Sequence, residues 1–152
     1  DEDLPPLEDY DLIAHPRTYR YFDRPVMYPF GYGLSYTRFD YSDLKIRTRD
    51  GGLHVSVKVR NAGPVTGDEV VQLYIRRVSP SGTVHPIRRL IGFERLCSLA
   101  PGECKEAVFT VQPDDLEIYL ETEGRKLVEP GKYTVYAGGS CLDEKVSDSL
   151  EL

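Results

Sequence analysis

The sequence has no run of about 18 consecutive apolar residues, the length that a membrane-spanning helix requires. We therefore expect no membrane segment, and the acidic N-terminus DEDLPPLEDYD also lacks the basic start of a signal peptide. Clustered basic residues are scarce as well, because the net charge is -6 and the pairs Arg76-Arg77 and Arg88-Arg89 lie beside apolar residues. A surface that follows phosphates needs more Lys and Arg than this, so we expect no nucleic-acid partner.

Cysteine is rare, with three residues and no C-x-x-C spacing. This odd, small number favours neither a disulfide framework nor a zinc site, and we expect no metal and no cofactor. Cys97 and Cys104 flank the turn S-L-A-P-G-E, so a single bridge between them stays open. Reduced thiols are otherwise expected, and they favour a cytoplasmic location.

The sequence also shows no arrangement of side chains that predicts catalysis. The chain has 152 residues, which suits one domain with its own core but not a catalytic barrel of about 250 residues. Hydrolysis by two carboxylates needs them about 5 to 9 Å apart, whereas neighbours on a strand point to opposite faces. We therefore expect no catalytic residue in this chain. The candidates considered are the pairs Asp68-Glu69, Asp114-Asp115 and Asp143-Glu144 and the isolated His15, His54 and His85.

Residues 1–36 are rich in Pro, Tyr and acidic residues and show no sustained period. So many aromatic rings are unfavourable in water, so we expect an extended linker, or strap, that is docked on another part of the protein. This segment contains Tyr19, Tyr21, Phe22, Tyr28, Phe30, Tyr32 and Tyr36.

From residue 37 onward, short runs of alternating apolar and polar residues are separated by Gly, Pro and Asn turns. In the clearest run, 53–59, every second residue is Leu or Val. In the next, the side chains of Val71, Leu73 and Ile75 point one way and those of Val70, Gln72 and Tyr74 the other. About eight strands follow this pattern, which predicts an all-β, immunoglobulin-like antiparallel sandwich over residues 37–152. The predicted strands are 39–46, 53–59, 70–75, 90–96, 106–111, 117–120, 132–137 and 146–150.

Two local features refine this picture. Tyr133 follows the Pro130-Gly131 turn and opens a strand, where a tyrosine corner would lie in such a sandwich. An ordinary core aromatic is the alternative interpretation of Tyr133. The tetrapeptide PDDL at 113–116 can form at most a short helical turn before its strand.

Two blocks of the sequence, RTYRYF at 17–22 and YPFGYGLSY at 28–36, resemble the connection between the second and third domains of family 3 β-glucosidases and β-xylosidases. Further matching blocks follow in order over nearly the whole chain. They are NAGP at 61–64, GDEVVQLY at 67–74, LIGFER at 90–95, LAPG at 99–102, VEPG at 128–131 and AGGS at 137–140.

This resemblance implies the C-terminal, fibronectin type III-like domain of an enzyme that removes sugars from the non-reducing end of β-linked oligosaccharides. In that family a retaining mechanism uses an Asp of an N-terminal barrel and an acid/base usually of a following α/β domain. The resemblance therefore places no catalytic residue on this chain and makes those domains its partners, with a β-linked oligosaccharide as their substrate. The stretch 4–10 is similar to the exit from the α/β domain, so we expect an excised C-terminal fragment.

Three functions are consistent with this pattern. The first is a non-catalytic accessory domain that braces the catalytic domains. The second is a carbohydrate-binding module whose exposed tyrosines stack on sugar rings. The third is a stand-alone adhesion module, which would keep its order without residues 1–36. The preference for glucosides or xylosides is open, since the resemblance places the residues that recognise the sugar in other domains.

Overall fold

A computed structural model of the protein describes residues 8–9, 11–78, 84–120 and 124–152. Over these ranges the chain forms nine strands and one short helix. Residues 1–7 and 10, on which part of the predicted strap falls, lie outside the described residues. The elements are β1 (Phe39–Arg49), β2 (Gly52–Asn61), β3 (Gly67–Arg77), β4 (Arg89–Leu99), β5 (Cys104–Val111), α1 (Pro113–Leu116), β6 (Ile118–Leu120), β7 (Arg125–Leu127), β8 (Lys132–Gly138) and β9 (Val146–Glu151).

The strands form two main antiparallel sheets that enclose one core. Sheet A has the strand order β1-β2-β5, and sheet B has the order β4-β3-β8-β9. The short strands β6 and β7 form a separate hairpin. This three-on-four arrangement confirms the prediction of an all-β, immunoglobulin-like sandwich.

The predicted alternation places the core side chains. In β2 the exposed fraction of Leu53, Val55, Val57 and Val59 does not exceed 1%. Side chains from β3 and β8 of sheet B close over them. Each such side chain stabilises the fold by about 1.5 to 3 kcal/mol relative to an exposed one. The partners from sheet B include Val71, Leu73, Ile75, Val135 and Ala137.

The other face of β3 differs from an ordinary solvated face. Val70, Gln72 and Tyr74 point away from the core as expected, yet Gln72 and Tyr74 are buried. They form part of a second cluster, outside the sandwich, with Tyr136. The N-terminal segment covers this cluster, as described below.

Several predicted boundaries needed correction. Strand β4 spans Arg89–Leu99 instead of 90–96, and β6 begins at Ile118 instead of 117. Strand β7 was not predicted, because its three residues RKL show no apolar alternation. The short turn predicted at 113–116 is confirmed as α1. Across the described ranges no helix is long and apolar enough to cross a membrane.

The tyrosine corner is present. The hydroxyl of Tyr133 donates a 2.7 Å hydrogen bond to the backbone carbonyl of Glu129, four residues upstream. This bond ties the start of β8 to the turn that precedes it. The ring of Tyr133 also packs against the main core, so the residue combines both interpretations.

The cysteines are all free. Cys97 and Cys104 are exposed thiols, and Cys141 is buried in the cluster with Tyr74 and Tyr136. The bridge that the spacing of Cys97 and Cys104 left open is not formed.

Candidate functional site

One part of the predicted strap, residues 18–31, lies on the outer face of sheet B. The name strap is used for residues 18–31 from here on. The backbone N–H of Ile87 donates to the carbonyl of Arg20 at 2.6 Å. The N–H of Cys141 donates to the carbonyl of Phe30 at 2.9 Å. These two bonds fasten both ends of the strap to loops beside sheet B.

Aromatic rings fill the space between the strap and the sheet. The ring of Tyr19 stacks on Phe30 with 4.2 Å between centroids and contacts Tyr74 edge-on at 6.3 Å. Tyr74 in turn stacks on Tyr136 at 5.2 Å. Such pairs add to the stability supplied by burial alone. Burial raises the pKa of both buried phenols, that of Tyr136 to about 12, so both stay protonated.

The side-chain amide of Gln72 joins the strap to the sheet. Its Nε2 donates to the carbonyl of Gly31 at 3.0 Å and to that of Gly139 at 2.6 Å. Its Oε1 accepts the hydroxyl of Tyr74 at 2.5 Å. A Cβ on Gly31 would lie 2.0 Å from this Oε1, and the φ of Gly31 is +82°, so only glycine fits here.

Several apolar side chains on either side of Gly31 are left in solvent. The exposed fraction is 89% for Leu34 and 99% for Tyr36. Tyr28 and Tyr32 are also exposed, with their rings 5.4 Å apart. Several exposed apolar side chains in one short segment are typical of surfaces that contact other molecules or domains.

A groove of about 640 Å³ runs beside this exposed stretch. One wall comes from residues 29–37, and the opposite wall comes from β1, β3 and the turn 139–145. Its rim is apolar on both sides. The apolar rim residues include Tyr32, Leu34, Val70 and Leu142.

The floor of the groove is polar. The hydroxyl of Tyr41 donates a 2.6 Å hydrogen bond to Oε1 of Glu69. Asp143 accepts the backbone N–H of Gly139 at 3.2 Å and lies 3.2 Å from the ammonium group of Lys145. Burial, reinforced by the nearby charge of Asp143, holds the pKa of Glu69 above its ordinary value.

The groove brings together carboxylates from two of the predicted pairs. Asp68, Glu69 and Asp143 all line it, and Asp68 also forms an ion pair with Arg95 at 2.6 Å. Glu144 forms an ion pair with Arg76 at 2.8 Å. Asp115 accepts the backbone N–H of Gln112 at the start of α1. The proximity of Glu69 and Asp143 was not predicted, because no local pattern in the sequence links residues so far apart in the chain.

The three histidines lie apart from the groove. His15 is 3.1 Å from Asp9, and His85 is 2.5 Å from Glu129. His54 lies on β2, on the side of sheet A away from the core. In the described ranges no group of three or more His, Cys, Asp or Glu side chains is placed to hold a metal ion.

Comparisons with known proteins identify the domain. Residues 69–141 match the family model of the fibronectin type III-like domain. The chain is 41% identical over 137 residues to a putative β-xylosidase of Formosa agariphila and 39% identical over 140 residues to the β-glucosidase BoGH3A of Bacteroides ovatus. The chain contains a fibronectin type III-like domain of the kind found in family 3 β-glucosidases and β-xylosidases. Each of these two alignments covers 88% of the chain and 18% of the relative.

Solved structures of family 3 enzymes contain the same fold. β-Glucosidase 3B of Thermotoga neapolitana, in complex with glucose, matches with a TM-score of 0.77 and 37% identity over 88% of this chain. DesR, a β-glucosidase of Streptomyces venezuelae, matches with a TM-score of 0.80 and 33% identity, also over 88%. Each match covers 18% of the solved chain, so this domain corresponds to a small part of those enzymes.

Proposed function

We propose that this domain is a non-catalytic accessory domain of a family 3 β-glycosidase and braces the catalytic domains of the same polypeptide. The observation that carries the proposal is the docking face, formed by Tyr28, Tyr32, Leu34 and Tyr36. These side chains are exposed although the same segment is attached to sheet B through the stacked rings of Tyr19 and Phe30.

Burial of the docking face supplies a driving force for association between domains. Apolar surface gains roughly 25 cal/mol for each Å² removed from water. Leu34 and Tyr36 are almost wholly exposed, so each has nearly its full side-chain area left to bury. The strap fixes the backbone at Phe30 and Gly31, and this pre-organisation lowers the entropy lost when the face docks.

The catalytic step belongs, in this proposal, to domains outside the described fold. Glu69 and Asp143 are each engaged by neighbours, through the hydroxyl of Tyr41 and the ammonium of Lys145. A retaining glycosidase instead needs a nucleophilic carboxylate facing the sugar and a second one able to give up its proton. The whole enzyme would hydrolyse β-linked glucosides or xylosides, in keeping with the names of the relatives.

A domain exchange tests the bracing function. The corresponding segment of the T. neapolitana β-glucosidase would be replaced by this chain, and aryl β-glucoside hydrolysis and thermal unfolding would be measured. We expect an active chimera with a single unfolding transition. The double substitution L34D/Y36D should lower both the melting temperature and the activity, because it places charges in the interface.

Tyr119→Asp provides the matched control, since Tyr119 is exposed on the β6–β7 hairpin, outside the docking face. Bracing is contradicted if L34D/Y36D and Tyr119→Asp behave alike. The non-catalytic assignment is tested separately, and release of sugar from an aryl β-glycoside by the purified 152-residue chain would overturn it.

A second candidate function is sugar binding by the same tyrosines. The exposed pair Tyr28 and Tyr32 favours it, because tyrosine faces stack on sugar rings. Titration with cello- and xylo-oligosaccharides separates the two functions. Saturable shifts of the Tyr28 and Tyr32 resonances would support sugar binding, whereas bracing predicts none.

A stand-alone adhesion module would keep its order without residues 1–36. In this structure, that deletion would expose the buried ring of Tyr74.

A further inference from the structure

The outer face of sheet A carries a row of basic side chains. Strand β1 is an edge strand, and its alternation places Lys45, Arg47 and Arg49 on one side while Ile46 packs against the core. In register, Arg47 lies opposite His54 of β2. We call the surface of Lys45, Arg47, Arg49 and His54 the basic face.

A shallow depression of about 480 Å³ lies along the basic face. Its floor contains Ser56 of β2 and Val108 of β5, which are neighbours in register, and Glu106 stands on the far side. Val108 is 54% exposed, so an apolar contact is available there. Basic, hydroxyl, apolar and carboxylate groups thus line one open trough.

The positive charge of the trough is only partly neutralised. Arg49 lies 3.4 Å from Asp50, and Glu106 lines the trough, but among the described residues Lys45 and Arg47 have no carboxylate within ion-pair distance. Asp43, the nearest acidic residue along β1, is engaged by Lys58 at 2.8 Å, which lowers the pKa of Asp43. Lys45 and Arg47 therefore place unpaired positive charge on a protein whose net charge is -6.

We infer that the basic face binds a β-linked glycan that carries uronic acid groups. Guanidinium groups bind carboxylates through paired hydrogen bonds, which matches Arg47 to the acid of a uronate, with Lys45 as a second unpaired cation beside it. Ser56 and Glu106 offer partners for ring hydroxyls, and Val108 offers a surface for the C–H face of a sugar. The flat, open sheet accommodates an extended chain.

Two considerations select a glycan over another polyanion. Single-stranded nucleic acids bind on aromatic platforms, and the residues that line this trough include no Phe, Tyr or Trp side chain. The choice of a glycan further rests on the proposed function, since an accessory domain of a glycosidase meets polysaccharide. Binding there would hold the enzyme on acidic regions of its substrate.

Titration of the purified 152-residue chain with defined probes tests the inference. The probes are aldouronic oligosaccharides from glucuronoxylan, neutral xylo-oligosaccharides of the same length and a single-stranded DNA of matched charge. We expect saturable NMR shifts at Arg47, His54 and Ser56 with the aldouronic acids, and binding at least about tenfold weaker with the neutral sugars. Added salt should weaken the interaction because the charges are exposed.

The double substitution K45E/R47E should reduce the affinity for aldouronic acids by about tenfold or more. K126E/K132E changes the net charge by the same amount at exposed positions outside the basic face and should leave the affinity within about twofold. Equal binding of neutral sugars, equal binding of DNA, or no effect of K45E/R47E would each overturn the inference.

This experiment is separable from the test of bracing. It uses the chain alone and substitutions on sheet A, whereas bracing is measured in the chimera with substitutions on the docking face. A negative result in one of the two experiments therefore does not decide the outcome of the other.

Discussion

The hydroxyl of Tyr41 donates a 2.6 Å hydrogen bond to Oε1 of Glu69 and thereby joins the two sheets of the sandwich. Tyr41 belongs to β1 of sheet A and Glu69 to β3 of sheet B. Burial raises the pKa of Tyr41, so the phenol keeps the proton that it donates. The bond closes the sandwich at the floor of the groove.

Tyr41→Phe should destabilise the fold by about 1 to 3 kcal/mol, because it leaves a half-buried carboxylate without its donor. Urea unfolding measured by circular dichroism checks this value. Tyr119→Phe is the matched control, since the Tyr119 ring is exposed on β6. A loss in Tyr41→Phe no larger than in the control would contradict the role of this bond.

The raised pKa of Glu69 predicts a pH-dependent contribution to stability. Burial raises this pKa above its ordinary value of 4.5. Between pH 4.5 and the folded-state pKa, the folded protein therefore holds a proton on Glu69 that the unfolded chain has released. The contribution of Glu69 is therefore complete below about pH 4.5 and is lost as the pH rises through the folded-state pKa.

Glu69→Gln removes this titration. The unfolding free energy of the wild type minus that of Glu69→Gln should fall as the pH rises from 4.5 and then level off above the folded-state pKa. Urea titrations at a series of pH values supply the difference. A difference that is constant, or that grows with pH, would show that the pKa of Glu69 is not raised.

Substitution by alanine should disturb the packing of the N-terminal segment at Gly31 but not at Gly33. Gly31→Ala places a methyl group against the amide of Gln72 at a positive φ, so the strap should lift from sheet B. Gly33→Ala is the matched control, because its Cβ would meet nothing within 4 Å. Hydrogen exchange at the amides of Cys141 and Ile87 should accelerate in Gly31→Ala alone; equal protection in both variants would refute the predicted clash.

Asn61 should be the costliest polar residue to truncate. It is fully buried, and its Nδ2 donates to the carbonyls of Val65 and Leu99 at 2.7 and 2.8 Å. Its Oδ1 accepts the hydroxyl of Thr37 and the N–H of Gly63. Asn61→Ala leaves these partners unsatisfied, so we expect a loss on the order of 3 kcal/mol in thermal or urea unfolding.

Ser147→Ala on β9 serves as the control for Asn61→Ala, because Ser147 is exposed. Surface substitutions of this kind change stability by at most about 0.5 kcal/mol. Comparable losses in the two variants would mean that the Asn61 hydrogen bonds contribute little.

The strands were predictable because their signal is local. Val55, Val57 and Val59 alternate with polar residues, and the pleat of a strand sends successive side chains to opposite faces. The same rule placed Leu73 in the core. It missed β7, whose three residues carry no alternation. The boundary at residue 36 stays a prediction, although the contacts of Tyr19 and Phe30 tie the strap closely to sheet B.

The site depended on contacts that no local pattern encodes. Glu69 and Asp143 meet only because the antiparallel pairing of β3 with β8 brings the turn after β8 beside β3. Tyr74 is buried on the outer face only because Tyr19, far upstream, packs over it. The order of residues along the chain by itself determined the strands and their core faces, since these follow from backbone geometry and apolar burial. The tertiary structure alone decided which outer faces are covered, which carboxylates share a groove and which aromatic residues stay in solvent, since long-range packing sets them.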